Sequence, residues 1–97
     1  MGMDESERLA VDPLAGIAIY RSQWVPLPPR EARLLALFVD GTDRVVTREE
    51  IVDRVWKGRQ CNPRVVDVTV YRLRAKLREL GHPGIKTVFR RGYRLAA

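Results

Sequence analysis

The stretch 62-NPRVVDVTVYRLRAKLRELG-81 decides the fold and also poses the question of function. Asn62 and Pro63 are residue types preferred at the N-cap and first turn of a helix, and Gly81 is typical of a helix stop. The pattern predicts a helix over residues 63–80. At about 100° per residue, one narrow arc of it is apolar and predicts the core face. That arc contains Val66, Val70, Leu73, Leu77 and Leu80.

A second face of this helix is poorly suited to water. It gathers Arg64, Val65, Val68, Tyr71, Arg72 and Ala75, and its acid, Glu79, comes only at the far end. Arginine can bond a guanine edge in a bidentate way, and Val or Ala can meet a thymine methyl group. The face therefore favours insertion into the major groove of DNA. The alternatives are a helix buried all round or a protein-contact patch, but buried arginines would need acidic partners that this half of the chain lacks. Arg74 and Asp67 lie at the border of the face, and Asp67 is interpreted as an orienting partner for Arg74.

Charge is divided unevenly along the chain. The formal net charge is +6, but residues 57–97 alone have eleven basic and two acidic side chains, which gives +9, whereas residues 1–56 give −3. The split indicates that the second half faces a polyanion.

The rest of the chain predicts short elements around this helix. Residues 9–27 contain β-prone pieces separated by turn formers and predict a small antiparallel sheet. A first helix is predicted over about 29–40 and a second from Thr47, where Thr47 and Glu50 have the spacing of a capping box. Residues 85–88 and 93–95 predict a hairpin whose tip projects Arg90 and Arg91 towards a minor groove or phosphates.

Other classes of function find little support in the residues. Ninety-seven residues make one domain, without an apolar run of the roughly 20 residues that a membrane span needs. The single Cys61 suits a reducing cytoplasm, and with the single His82 it makes no metal cluster. His82 is interpreted as a turn residue beside Pro83, and Cys61 has no second histidine to activate it. Enzymatic activity is therefore not expected, and neither is a cofactor.

Four segments in order carry a family resemblance: LPPREARLL (27–35), VVTREEIVDRVW (45–56), RVVDVTVYRLRAKL (64–77) and TVFRRGYRL (87–95). With these the chain resembles the C-terminal DNA-binding domain of OmpR/PhoB-type bacterial response regulators. The resemblance implies an α+β winged helix-turn-helix: an N-terminal antiparallel sheet, three helices and a C-terminal wing over 85–96. It further implies sequence-specific binding of double-stranded DNA, with the third helix in the major groove and the wing at the minor groove.

The resemblance also assigns roles to single residues. It implies that Arg64 and Arg74 contact the DNA backbone or bases and that Val68 and Arg72 contact base edges. It also implies that Thr87 and the wing arginines contact phosphates and the minor groove. The basic and aromatic neighbours Tyr71 and Lys76 complete the expected DNA-binding set. The loop with Lys57, Arg59 and Gln60 matches the family's loop for RNA polymerase.

Two positions depart from the family pattern. The usual wing reads Thr-Val-Arg-Gly-x-Gly-Tyr, whereas residues 87–93 read TVFRRGY, which displaces the inserting arginine. Pro28 stands where the family usually has Thr or Ser, so the cap of the first helix is expected from elsewhere.

Residues 1–7 are interpreted as a tag remnant and linker, and 8–97 as the domain. The expected missing N-terminal partner is a phospho-receiver or a uroporphyrinogen-III-synthase-like domain. No helix has a sustained second apolar seam, so the isolated domain is expected to be a monomer. The alternative function is a winged-helix module that binds an acidic protein without reading DNA sequence.

Overall fold

The computed structural model describes residues 8–41, 44–59 and 62–96. Three strands come first, β1 (Ala10–Asp12), β2 (Ile17–Tyr20) and β3 (Gln23–Pro26). Three helices follow, α1 (Pro29–Asp40), α2 (Arg48–Val55) and α3 (Pro63–Glu79), and the chain ends in β4 (Ile85–Val88) and β5 (Gly92–Leu95). This order confirms the predicted α+β winged helix-turn-helix. The proposed tag remnant at 1–7 lies outside the described residues.

The N-terminal sheet is antiparallel with the order β1-β2-β3. Arg21 and Ser22 join β2 to β3 with φ of 50° and 67°, as a two-residue hairpin turn with both central residues at positive φ requires. One face of the sheet buries Ala18 and Tyr20 against the helices. The other face leaves the cross-strand neighbours Ile19 and Trp24 exposed to solvent.

The core lies where the three helices meet the two sheets. Its largest fully buried side chains come from all three helices and from the segment before α2: Leu34, Leu35, Phe38, Val46, Ile51, Val55, Val66, Val70, Leu73 and Leu77. The five residues predicted as the core arc of α3 are all buried. Val65, assigned from periodicity to the outward face, instead is partly buried and packs against the core, because α1 covers that side of α3.

The helix starts follow the predicted caps with two differences. Asn62 Oδ1 accepts from the Arg64 N–H at 3.0 Å, and Thr47 Oγ1 accepts from the Glu50 N–H at 3.1 Å. In a full capping box the Glu50 carboxylate would also accept from the Thr47 N–H. Here that carboxylate pairs instead with Arg44 at 2.8 Å. For α1, the sequence predicts a capping group from a residue other than Pro28. In the structure Pro28 is the N-cap residue, and no side chain caps this helix. Pro29 at the first turn has no N–H to satisfy, which reduces the need for a cap.

The C-terminal hairpin is joined to the helical core through Val46. Val46 N–H donates to Tyr93 O at 2.8 Å and Tyr93 N–H donates back to Val46 O at 2.9 Å. Gly92, at φ 147°, makes this approach possible, because a Cβ there would lie 2.1 Å from Val46 O. In the described parts of the chain, no helix has the length and apolarity to cross a membrane.

Candidate nucleic-acid interface

The outward face of α3 is the first component of the site. Five of its side chains are exposed: Arg64, Val68, Tyr71, Arg72 and Ala75. The exposed fraction is 46% for Val68 and 72% for Tyr71. These side chains recur at three- and four-residue intervals, so they form one stripe along the helix. Among the described residues, neither Arg64 nor Arg72 has a partner within ion-pair distance. The stripe is therefore apolar and cationic, with its arginine donors free for an external acceptor.

Arg74 lies at the border of this stripe and points to the hairpin. Its Nε donates to Ile85 O at 2.7 Å, and its Nη2 donates to Thr87 Oγ1 at 2.8 Å. Its guanidinium also lies 5.6 Å from the centre of the Tyr93 ring. The sequence-based pairing of Arg74 with Asp67 is thus wrong. The hairpin offers Arg74 a carbonyl, a hydroxyl and an aromatic face, whereas Asp67 lies two turns away on the same helix.

Asp67 instead connects three elements. Its Oδ1 accepts from Arg48 Nε of α2 at 3.1 Å and also accepts from the Tyr93 hydroxyl of β5. Burial raises the pKa of the Tyr93 phenol, and the hydrogen bond to Asp67 raises that pKa further. Tyr93 therefore retains its proton at neutral pH and acts as a donor. The arrangement positions the wing against both helices of the helix-turn-helix.

Lys76 occupies the opposite border of the stripe, against α1. Its Nζ forms an ion pair with Glu31, whose side chain is 5% exposed while that of Lys76 is 28% exposed. The predicted DNA contact of Lys76 thus involves a side chain that already has an acidic partner. Thr87 is likewise engaged within the protein, because its hydroxyl accepts from Arg74, but it remains exposed.

The tip of the wing comprises Phe89, Arg90 and Arg91. Arg91 N–H donates to Val88 O at 2.9 Å and closes the turn. Arg90 takes the position at which the usual wing has glycine, and its φ of 61° lies in the left-handed region that favours glycine. Its guanidinium lies 5.1 Å from the Phe89 ring, and Phe89 is 79% exposed. Both arginines project from the fold, as predicted, beside a large exposed aromatic ring.

The loop before α3 is described only in part. Lys57 and Arg59 are exposed, and Lys57 and Gly58 have φ of 54° and 73°. Gln60 lies outside the described residues. The polymerase contact assigned to this loop stays a prediction.

His82 has a structural role that agrees with its interpretation as a turn residue. It is 9% exposed, its Nδ1 accepts from Gly84 N–H at 2.8 Å, and its ring meets that of Tyr20 edge-on at 5.0 Å. Burial lowers the pKa of His82. In the part of the chain that the structure describes, no group of three His, Cys, Asp or Glu side chains is placed to hold a metal.

Three basic residues near the interface were missed by sequence reasoning. Arg48 binds Asp67, which no sequence pattern indicates. Arg30 and Arg33 lie in the first turns of α1, beside Arg64 and Arg72 of α3, and line one groove with them. Their spacing of three residues is a signal that helical periodicity makes available.

A basic helix presented by a preceding helix and flanked by a hairpin defines the winged helix-turn-helix class of proteins. Residues 22–95 match the family described as "Transcriptional regulatory protein, C terminal". The chain belongs to this family, the OmpR/PhoB-type effector domains of bacterial transcriptional regulators, and the family is not one of enzymes.

Individual relatives agree with this membership. The transcriptional regulatory protein CseB of Streptomyces avermitilis is 43% identical over 84 residues, which cover 84% of this chain and 34% of CseB. The DNA-binding domain of Escherichia coli CadC superposes with a TM-score of 0.81 at 29% identity, covering 92% of this chain and 86% of that domain. The DNA-binding domain of the response regulator AdeR, in complex with an intercistronic region, superposes with a TM-score of 0.79 at 27% identity, covering 90% of each. The chain spans about a third to two fifths of the length of the curated relatives it matches.

Proposed function

We propose that this domain binds double-stranded DNA sequence-specifically, with α3 in the major groove and the β4–β5 wing at the adjacent minor groove. The observation that carries the proposal is the outward stripe of α3, in which Arg64 and Arg72 are exposed beside Val68 and Tyr71 and have no ion-pair partner within the described ranges. The arginines and apolar groups of this stripe match the acceptors and methyl groups of a major groove.

The charge distribution supports the same function. The +9 of residues 57–97 is concentrated in α3 and the wing, the two elements that the proposal brings to the duplex. The AdeR domain, which has the same fold, is described in complex with an intercistronic region. Arg72 and Val68 meet base edges in this proposal, Arg64 meets a base or a phosphate, and Arg90 and Arg91 meet the minor groove or its phosphates.

The contacts at the borders of the stripe are proposed as secondary. Arg74, Lys76 and Thr87 retain donors beyond those used within the protein and can reach phosphates. Their larger contribution is to hold the wing and α1 in position beside α3.

Selection of bound sites from random duplex DNA tests the proposal directly. A defined motif is expected to emerge. Arg72→Ala is then expected to lower affinity for the preferred site by about 1–3 kcal/mol and to change binding to random DNA much less. Arg8→Ala removes the same charge from the N-terminal segment and is the matched control. Bound DNA without a motif, or equal losses on both DNAs, would contradict base recognition by Arg72.

The domain works as part of a longer regulator in this proposal. A phospho-receiver or a uroporphyrinogen-III-synthase-like domain precedes it, the loop with Lys57, Arg59 and Gln60 touches RNA polymerase, and the protein acts in the cytoplasm. The isolated domain is a monomer that loads pairwise on direct repeats about one helical turn apart. Sedimentation of the free domain tests the first statement. Insertion of a half-turn between repeats, which should abolish pairwise loading, tests the second.

A further inference from the structure

We propose that a groove between α1 and α3 binds the sugar-phosphate backbone of the duplex that α3 enters. Four arginines line it: Arg30 and Arg33 from α1, and Arg64 and Arg72 from α3. We refer to these four residues and the space between them as the arginine groove. The inference rests on the proposed function and adds a contact surface on α1, outside the recognition helix and the wing.

The arginine groove is an open depression of about 680 Å³. Arg30 and Arg33 are three residues apart on α1, so they project from one side of that helix. Arg64 and Arg72 are two turns apart on α3, about 12 Å at about 1.5 Å per residue. Apolar walls, including Pro28 and Val65, separate the charges. The groove is therefore an elongated cationic channel rather than a single ion pocket.

The cations of the groove lack acidic partners. None of the four arginines forms an ion pair with a residue in the described ranges 8–41, 44–59 and 62–96. The acid that lines the groove, Glu31, is buried and already neutralised by Lys76. Arg30 is also held in place, because its guanidinium lies 5.4 Å from the ring centre of Trp56, a buried side chain. Part of the groove is thus organised before any ligand arrives.

The position of the groove identifies the polyanion. Arg64, Val68 and Arg72 line the groove and also belong to the outward stripe of α3. A duplex that takes this stripe into its major groove has a sugar-phosphate strand along each edge of that groove. On the α1 side, that strand would run past Arg33 and Arg30. Guanidinium groups bind phosphate oxygens in a bidentate way, so Arg30 and Arg33 suit two phosphates of this strand, while Arg72 keeps its proposed base-edge contact.

Salt dependence of DNA binding tests the inference, with Arg30→Gln, Arg33→Gln and the double variant. Each phosphate that is no longer bound is expected to reduce the slope of log K against log salt by about one unit, and the double variant by about two. The reduction should be equal on the selected site and on random duplex, and the selected motif should not change. Arg54→Gln, at an exposed arginine of α2 that does not line the groove, is the charge-matched control for each single variant, and Arg8→Gln/Arg54→Gln is the control for the double variant. Both controls should leave the slope close to that of the wild type.

Phosphate ethylation interference supplies the second measurement. The wild type is expected to show sensitive phosphates on one strand at the α1 flank of the site, and the double variant should lose only these. A slope and an interference pattern that match the wild type would overturn the inference. So would a double variant that binds DNA normally but no longer binds polyglutamate, because the groove would then serve an acidic protein. In both cases the motif and the loss caused by Arg72→Ala would persist, so the proposed function would stand.

Discussion

Arg74 and Ile85 join α3 to the wing: the Nε of Arg74 donates to the carbonyl oxygen of Ile85 at 2.7 Å. The second arm of the same guanidinium reaches Thr87 at 2.8 Å. The first strand of the wing is thereby fixed to α3 at two positions, which sets where the wing tip lies relative to the stripe.

Loss of this connection should destabilise the domain. Arg74→Met keeps the aliphatic length but leaves the Ile85 carbonyl without its donor, so the free energy of unfolding should fall by about 1–3 kcal/mol. Urea denaturation measures it. Arg78→Met removes an exposed arginine one turn further along α3 and should cost less than about 0.5 kcal/mol. Equal losses in the two variants would show that the contact contributes nothing specific.

Gly92 should tolerate no side chain. In Gly92→Ala the new Cβ would lie 2.1 Å from Val46 O, at a φ of 147°, so the bridge between Val46 and Tyr93 must open. The expected cost is at least about 2–3 kcal/mol in thermal or urea denaturation. Gly81→Ala is the control: its φ is 77°, but no atom lies within 4 Å of the new Cβ, so about 1 kcal/mol is expected. A smaller loss at Gly92 than at Gly81 would contradict the close approach.

Lys76 and Glu31 should be strongly coupled in stability. Lys76→Met leaves the buried carboxylate of Glu31 without its partner and should lower the free energy of unfolding by about 1–3 kcal/mol. The double variant Glu31→Gln/Lys76→Met has no unpaired carboxylate at position 31. Its free energy of unfolding should therefore fall by less than the sum of the falls in the two single variants. Additive losses in the double-mutant cycle would rule out the coupling.

His82 should make stability depend on pH near neutrality. Burial lowers its pKa below the ordinary value of 6.5, so the unfolded chain takes up a proton at a higher pH than the folded domain does. The stability contributed by the neutral imidazole is therefore complete above 6.5 and is lost as the pH falls towards the folded pKa. Urea denaturation near about pH 7.5 and about pH 5.5 should show a larger fall for the wild type than for His82→Asn. Parallel curves would assign the pH dependence to other groups.

The wing arginines should contribute to the salt dependence of DNA binding. Replacing Arg90 and Arg91 together by Gln should lower the slope of log K against log salt by about 1–2, one unit for each phosphate that the variant no longer binds. The double variant Arg8→Gln/Arg54→Gln, at two exposed arginines outside the wing, controls for the loss of two charges. If the slope holds but the preference for A·T pairs beside the core site disappears, the wing reads the minor groove instead of phosphates.

Local signals account for the parts of the fold that sequence predicted. The start of α3 follows from Asn62 and Pro63, and its core arc follows from helical periodicity, since both depend on residues within a few positions of each other. The exposed stripe follows on the same basis. The left-handed φ of Arg90 does not follow from the residue itself, because arginine disfavours that region; the only signal is the glycine that the usual wing has at this position.

Contacts between distant segments account for what sequence missed. Asp67 binds Arg48 and Tyr93, which are 19 and 26 residues away in sequence, and Lys76 binds Glu31, which is 45 residues away. For a border residue of a helix, periodicity gives the direction of the side chain but not which neighbouring element will meet it. The sequence therefore predicts a partner for Arg74 on its own helix, whereas the hairpin supplies a better one.

The carboxylate of Asp67, shared by Arg48 and Tyr93, has a thermodynamic consequence for association. Because Asp67 links α2, α3 and β5 within the protein itself, these three elements meet the duplex already assembled, and their docking costs little backbone entropy. The rate of encounter is then governed by diffusion and by attraction between the basic half of the domain and the phosphates, with no folding step to wait for.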